Sequence, residues 1–496
     1  MDNYQSLANF WPELIMVGTA IAAILMDLHY RRAQSYKVGY WVLAGLLLAQ
    51  VAIFVQPREP LTLFLDSIAF DPFSRFFKTV IVLATFFILM VSPYSKELKH
   101  YRTGEYYVLI AVMVFGMFLM VSALDLIMVY LSIEVVSITS FVLAGYLRKE
   151  RRSNESALKY VIYGAFSSGL MLFGLSILFG LTGTTKLFEI RSALGQLDGS
   201  ANYALILSAI LILAGFGYKI SIVPFHFWTP DVYEGAPTTI TAYLSVAPKA
   251  AGFAILIRFF HTVFTNGGAL SAANWIGDTG LPWPQLLAVL SVVTMTLGNV
   301  VALQQTSVKR MLAYSSIAHA GYMLMALPLL SGEGLYAVML YLVMYLFMNL
   351  GAFIVVIAVK NKTGEESFEA FRGLGWEMPL LGMVMTIFMF SLTGLPPTAG
   401  FIGKFYLFAA VIKAGPQFYW LAIIGVLNSV VSLYYYLRVM KMMFLVGEHK
   451  NILTTPTTMV TVVLICLAIP ALVFGIFWSP VADWVNQSLM FFTQGM

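Results

Sequence analysis

Cysteine is all but missing from this 496-residue chain. The one thiol, Cys466, lies in an apolar run, so the chain forms no internal disulfide and cannot by itself ligate an iron–sulfur cluster. Any redox chemistry belongs elsewhere. Charge is scarce too: 11% of residues are Asp, Glu, Lys or Arg, roughly half the share of a soluble domain. With 60% apolar residues and a mean hydropathy of +0.83, the chain requires lipid. No glycine-rich phosphate loop follows a strand, which excludes NADH as a ligand of this chain. The net charge of +5 is scattered over short loops, with no basic stripe for nucleic acid. The first apolar stretch, Phe10 to Met26, lacks a basic leader and a small-residue cleavage site, so it reads as a first span.

What is present is a series of apolar runs, each about twenty residues long, the length that crosses a hydrocarbon core. They number about fourteen, the first near 10–28 and the last near 457–479, with one interrupted run at 379–413. The runs are continuous, which favours helices over alternating barrel strands. Basic residues sort by loop. With the N-terminus outside, the inside loops hold Arg31, Arg32, Lys37, Lys96, Lys99, Arg102, Arg148, Lys149, Arg151, Arg152, Lys309, Arg310, Lys360, Lys362, Arg372, Arg438, Lys441 and Lys450. The outside loops hold only Arg58, Lys186, Arg191, Arg258 and Lys413. This bias places both termini outside and implies an even number of spans.

Ionisable groups inside spans are costly and need a partner or a water path. Glu134 in the fifth span lies roughly 12 Å deep, and Lys249 in the eighth roughly 16 Å, near the midplane. The seventh span reads AGFGYKISIVPFHFWTPDVYEGAP, with Gly215, Gly217, Pro224 and Pro230 around Lys219 and His226. Proline removes an amide donor and clashes with the preceding turn, so this helix should break and free carbonyls near Lys219. The twelfth repeats the device in SLTGLPPTAGFIGKFYLF, with Lys404 just after the prolines. Spans four to eight and nine to thirteen form two sets of five, each with its broken helix fourth. Five is odd, so a duplicated set is inverted, the pattern of an ion path at midmembrane. Glu155 and Lys159 share a helix face at the start of the sixth span. Ser315, Ser316 and His319 fall within one turn of the tenth.

Plainer readings stand beside these. Each lysine could be a structural amine bonded to a neighbouring helix, and Glu134 could lock two helices together by neutralising one lysine. His226 could simply satisfy the broken helix, His319 could be a core histidine bonded to a serine, and Glu155 with Lys159 an ordinary surface pair.

On Glu134, on Lys219 with VPFHFWTPDVYEGAPT, on Lys249, and on LTGLPPTAGFIGKF with Lys404, the chain resembles the antiporter-like subunits of respiratory complex I, relatives of multisubunit cation/proton antiporters. The match covers about residues 105–445. Lys404 in place of a glutamate, and the absence of a long lateral helix after the fourteenth span, make it similar to the N type. The chloroplast and cyanobacterial homologue of thylakoid membranes is also close. The resemblance implies an all-α membrane fold with inverted repeats at 105–262 and 281–445, flanked by three N-terminal spans (1–104) and a C-terminal span (446–496). It implies a proton-translocating subunit in a bacterial inner membrane, with M-type and K-type neighbours. Quinone, NADH, FMN and iron–sulfur clusters would belong to other subunits. Protons would pass from the inside to Lys219 with help from Lys159 and His226, then to Lys249 and outward from Lys404, with His319 bridging the last gap. A movable Glu134 would switch the proton affinity of Lys219. A sodium/proton antiporter of the Mrp type, or an inert linking subunit, would carry similar groups.

Overall fold

A computed structural model describes residues 3–56, 59–196, 201–264, 283–329, 331–447 and 456–493. Arg58 and Lys450, and the start of the second expected repeat at 281, lie outside the described residues. A short α1 (Asn3–Leu7) precedes α2 (Trp11–His29), α3 (Val38–Val55) and α4 (Pro72–Val91), with a hairpin of β1 (Leu61–Leu63) and β2 (Ile68–Phe70) between α3 and α4. Then come α5 (Gly104–Ser122), α6 (Leu126–Ala144), α7 (Arg151–Thr182), the short α8 (Leu187–Leu194), α9 (Asn202–Ile220), α10 (Trp228–Gly235), α11 (Thr238–Leu244) and α12 (Ala247–Phe264). The rest is α13 (Trp283–Leu303), α14 (Val308–Leu324), α15 (Gly332–Thr363), α16 (Leu374–Glu377), α17 (Pro379–Thr393), α18 (Ala399–Lys413), α19 (Tyr419–Phe444), α20 (Thr458–Val473) and α21 (Ser479–Thr493).

Local sequence sets the helix ends. Asp71 caps α4, accepting from Ser74 N at 2.6 Å while Ser74 Oγ accepts from Asp71 N, and Pro72 opens the first turn, where no amide donor is needed. Asp125 caps α6 by accepting from Ile127 N at 2.8 Å. The long α7 stops at Gly183, whose φ of +71° is open to glycine at little cost.

Among the described residues, eleven helices are long and apolar enough to cross a membrane, or twelve if a bent pair counts as one span. The remaining expected spans fall on shorter or broken helices: α14 with 17 residues, α17 with α18, and α20 with 16. Burial sorts the bundle. Every residue of α12 is buried and so is α15 from Ala337 to Val359, so these two helices lie inside the bundle. Leu48 of α3, Phe166 of α7 and Leu427 of α19 are exposed apolar side chains, as a lipid-facing perimeter requires.

The interruptions fall where proline dictates. α9 ends at Ile220 and the chain turns at Ser221 (φ 65°) before α10. α17 ends at Gly394 (φ +87°) before α18. A third, unexpected break separates α11 from α12. Pro248 cannot tolerate a helical carbonyl four residues earlier, at Leu244, where α11 stops.

Two basic residues read as loop charges are not in loops. Arg258 lies within α12, which runs on to Phe264, and is 1% exposed. It binds Asp71 through two nitrogens at 2.7 and 3.0 Å, and its Nε donates to Val121 O at 3.0 Å. Lys309, in the first turn of α14, is also fully buried. Burial removes Arg258 from the minority side of the charge count, so the bias that motivated the topology becomes steeper.

Candidate proton path

The path begins where α6 meets the end of α9. Glu134 and Ser137 lie three apart on one face of α6, and Lys219 occupies the last turn of α9, where its Nζ donates to Ser137 Oγ at 3.1 Å. Lys219 and Glu134 are not in contact: among the described residues, Glu134 has no ion pair within 4.0 Å and its buried Oε1 has no hydrogen-bond partner. Gly252 of α12 completes the pocket. A Cβ there would lie 2.7 Å from Ile220 Cγ2 and 3.4 Å from Lys219 Cγ, so a glycine lets α12 approach the lysine stem.

An aromatic cluster holds the break together. Trp228 stacks on Tyr160 at 4.4 Å and donates Nε1 to Tyr218 O at 3.0 Å, one of the carbonyls the break frees. Tyr218 OH in turn donates to Tyr160 O at 3.1 Å. His226 is buried in the break against Phe227, its Nδ1 without a partner among the described residues. The sequence reading missed these three aromatic residues, although Tyr218 directly precedes Lys219.

At the centre, Lys249 donates to Ser316 O and Ser316 Oγ, both at 2.9 Å. One turn on, His319 is clamped on both ring nitrogens, Nδ1 to Tyr341 OH at 2.5 Å and Nε2 to Tyr436 OH at 3.0 Å, and Tyr436 OH also bonds Ser315 Oγ. The core histidine therefore bonds tyrosines, whereas the plainer reading expected a serine. Lys404 reaches into the second break, donating to Thr393 O and Ser429 Oγ, both at 2.8 Å, with its Nζ 4.6 Å above the Tyr322 ring.

Lys219, Lys249 and Lys404 share one property: each is at most 3% exposed and is bonded only to hydroxyls or carbonyls, with no carboxylate within 4.0 Å among the described residues. An ammonium so placed lacks the counter-charge that would make its burial favourable.

At the face where α7 and α14 begin, Lys159 binds Glu155 at 2.8 Å and also Asp231 at 2.7 Å. Asp231 binds Arg310 at 3.0 Å, and Arg310 also binds Glu234. Lys309 donates to Glu234 O and Ala236 O at 3.0 and 2.8 Å. Lys360 binds both Glu366 at 2.7 Å and Glu97 at 2.8 Å. Burial acts to raise the carboxyl of Glu97, but the charges of Lys309 and Lys360 outweigh it and hold the group below its ordinary value. Of these residues, Glu97, Glu234, Lys360 and Glu366 rim a cavity of about 820 Å³ that also takes in Arg152. Asp231 and Glu234 stand in the quoted TPDVYEGAPT run, yet only the fold reveals their partners. Among the described residues, no group of three or more His, Cys, Asp or Glu converges for a metal.

The chain matches, over residues 123–432, the family described as NADH:quinone oxidoreductase/Mrp antiporter, transmembrane. It is similar to NADH-quinone oxidoreductase subunit N of Anaeromyxobacter sp. (strain Fw109-5), with 44% identity over 99% of this chain and 98% of that one. Subunit N 2 of Sorangium cellulosum (strain So ce56) is 45% identical, again over 99% and 98% of the two chains. A chain in the solved structure of respiratory complex I from Thermus thermophilus with bound aureothin superposes with a TM-score of 0.78 and 29% identity. That match covers 98% of this chain and all of the other.

Proposed function

Because the chain belongs to the NADH:quinone oxidoreductase/Mrp antiporter transmembrane family, among the N-type subunits of complex I, we propose that its buried amines carry the protons that complex I pumps. Protons enter at the basic face beside Lys159 and reach Lys219 past His226. They then cross to Lys249 and leave toward the opposite face from Lys404, with His319 between the last two. Glu134 supplies the movable counter-charge. The observation that carries this reading is that, among the described residues, no carboxylate contacts Lys219, Lys249 or Lys404. A charge fixed for structural reasons would be paired, whereas an amine that gains and loses a proton is best surrounded by hydroxyls and carbonyls that serve both states. Glu134 Oε1, Ser221 Oγ, His226 Nδ1 and Thr229 Oγ1 are buried polar atoms with no protein partner among the described residues, and such groups call for bridging water along the first half of the route.

The repeats are assigned to 105–262 and 281–445, with 1–104 and 446–496 flanking them. The membrane is a bacterial inner membrane with both termini on the periplasmic side, and the neighbours are M-type and K-type subunits. Quinone, NADH, FMN and iron–sulfur clusters act in other subunits, and this chain contributes no redox centre. The test is the whole complex in vesicles with Lys219→Ala or Glu134→Ala, scored for electron transfer and protons pumped per electron. Both variants are expected to lower pumping, and His226→Ala to lower it less. An unchanged ratio in Lys219→Ala would sink the assignment.

A further inference from the structure

The acidic helix α10 does something that the route above leaves unused. Its Asp231 carboxylate is divided: Oδ2 accepts from Lys159 Nζ of α7 at 2.7 Å, and Oδ1 faces Arg310 of α14 at 3.0 Å. Each cation also has an alternative partner, Glu155 for Lys159 and Glu234 for Arg310. The four carboxylate and cation side chains flanking Asp231 line one cavity of about 230 Å³ together with Arg152, and they are 28 to 58% exposed, so rearrangement there does not disturb a packed core. Both helices that meet at Asp231 are held close. Gly235 lies against α7 so tightly that a Cβ would fall 2.3 Å from Arg152 O, and α14 is tied to the end of α10 by Lys309, which donates to Glu234 O in its last turn and to Ala236 O just beyond it.

We propose that Asp231 is a positioning residue of the pump, a carboxylate shared between Lys159 of the first repeat and Arg310 of the second, through which the pairing of Lys159 sets the pose of α14. When Lys159 turns to Glu155 alone, it releases Asp231, which then closes on Arg310 alone. Arg310 lies about 9 Å along the helix axis from Ser316 and about 14 Å from His319. A shift of that first turn therefore reaches the hydrogen bonds that hold Lys249 and the imidazole. The two-state element is the exchange of Asp231 between one and two cations, and the rigid α14 transmits it. This inference rests on the route assigned above, in which protons enter beside Lys159.

The experiment is a double-mutant cycle in the complete complex reconstituted in vesicles, with protons per electron as the readout. The cycle compares Lys159→Met, Arg310→Met and the double variant, alongside Asp231→Asn, Asp231→Glu and Lys219→Ala. If the two cations act through one carboxylate, each single substitution lowers the ratio and the double is no worse than the more severe single. The shortfall from additivity should be about threefold, the low end for side chains in one ion-pair network. Asp231→Asn should reproduce that loss and Asp231→Glu should restore most of it, which a merely structural role would not require. Additive losses in the cycle, or a normal ratio in Asp231→Asn, overturn the proposal. The cycle alone decides it should Asp231→Asn fail to assemble. A normal ratio in Lys219→Ala overturns the underlying route instead.

Discussion

Two glycines beside the proposed path face different neighbours, and that difference separates two kinds of damage. A Cβ at Gly400 would lie 1.7 Å from Ser391 O, a backbone atom that cannot yield without opening the second break. Gly400→Ala is therefore expected to prevent the subunit from accumulating in membranes, measured by its amount in purified complex. At Gly252 the obstruction is the side chain of Ile220, and Lys219 Cγ lies just beyond. Gly252→Ala is expected to allow assembly, with an overpacking cost of about 1–3 kcal/mol, and to slow pumping by displacing Lys219. A normal pumping rate would show that Lys219 tolerates displacement. Tyr436→Phe tests the clamp on His319. It removes a hydroxyl bonded to both His319 and Ser315 and leaves Nε2 unpartnered, at a cost of about 1–3 kcal/mol. Pumping is expected to fall while Tyr341 still holds Nδ1, so the loss should be smaller than in Lys404→Ala. At this scale the sequence supplied residue types and depth: Lys219, Lys249 and Lys404 were recognisable because lysine is out of place in an apolar run. Their partners were not, since Ser137, Ser316 and Ser429 lie 67 to 82 positions away from the first two lysines and 25 from the third, and serine in a span carries no signal of its own.

Breaks in helices were the most legible elements, because proline acts locally. Pro224 and Pro397 marked two of them, and Pro248 marked the third by the same rule, although Lys249 beside it invited attention to charge and not to backbone. The contacts of the short segment Lys96–Leu98 were invisible, because they join four distant stretches. Glu97 accepts from Thr238 N at the start of α11, binds Lys360 at the end of α15, and lies near the buried Lys309. Its carboxyl is held below the ordinary value of 4.5, so the folded state binds this proton more weakly than the unfolded chain does. The stabilisation is complete above that value and is lost as pH falls through the lower folded value. Thermal denaturation of the purified complex should therefore show Glu97→Gln losing stability at neutral pH. The gap between variant and native protein should close as the medium is made more acidic than pH 4.5. A gap that stays constant on acidification would mean that Glu97 contributes packing and not charge.

At the scale of the molecule, the matched family region begins at residue 123, and α2, α3 and α4 lie before it. Two buried ion pairs are associated with these helices. Lys78 of α4 binds Glu13 of α2 at 2.5 Å with both side chains at most 3% exposed, and Asp71 at the cap of α4 binds Arg258 of α12. The second pair ties the N-terminal helices to the inside of the bundle, and the Phe73 ring lies 5.0 Å from the guanidinium. Here the carboxylate contact that Lys219, Lys249 and Lys404 lack among the described residues is present, in keeping with a fixed and not a mobile charge. Burial alone would raise the Asp71 carboxyl, but Arg258 overrides it and keeps the group ionised below its ordinary range. The sequence concealed this join, because Arg258 near a span end reads as a loop cation and nothing singles out Asp71; only their meeting across 187 positions gives them a role. Arg258→Met should strand an unpaired carboxylate, costing about 3–5 kcal/mol, and appear as a lower melting temperature of the purified complex. Adding Asp71→Asn should recover much of that loss, since asparagine can still cap α4 without carrying a charge. Protons per electron in the double variant should match the native value once the complex is assembled. If the double variant is stable but pumps poorly, the pair belongs to the proton route and its role as a static join is wrong.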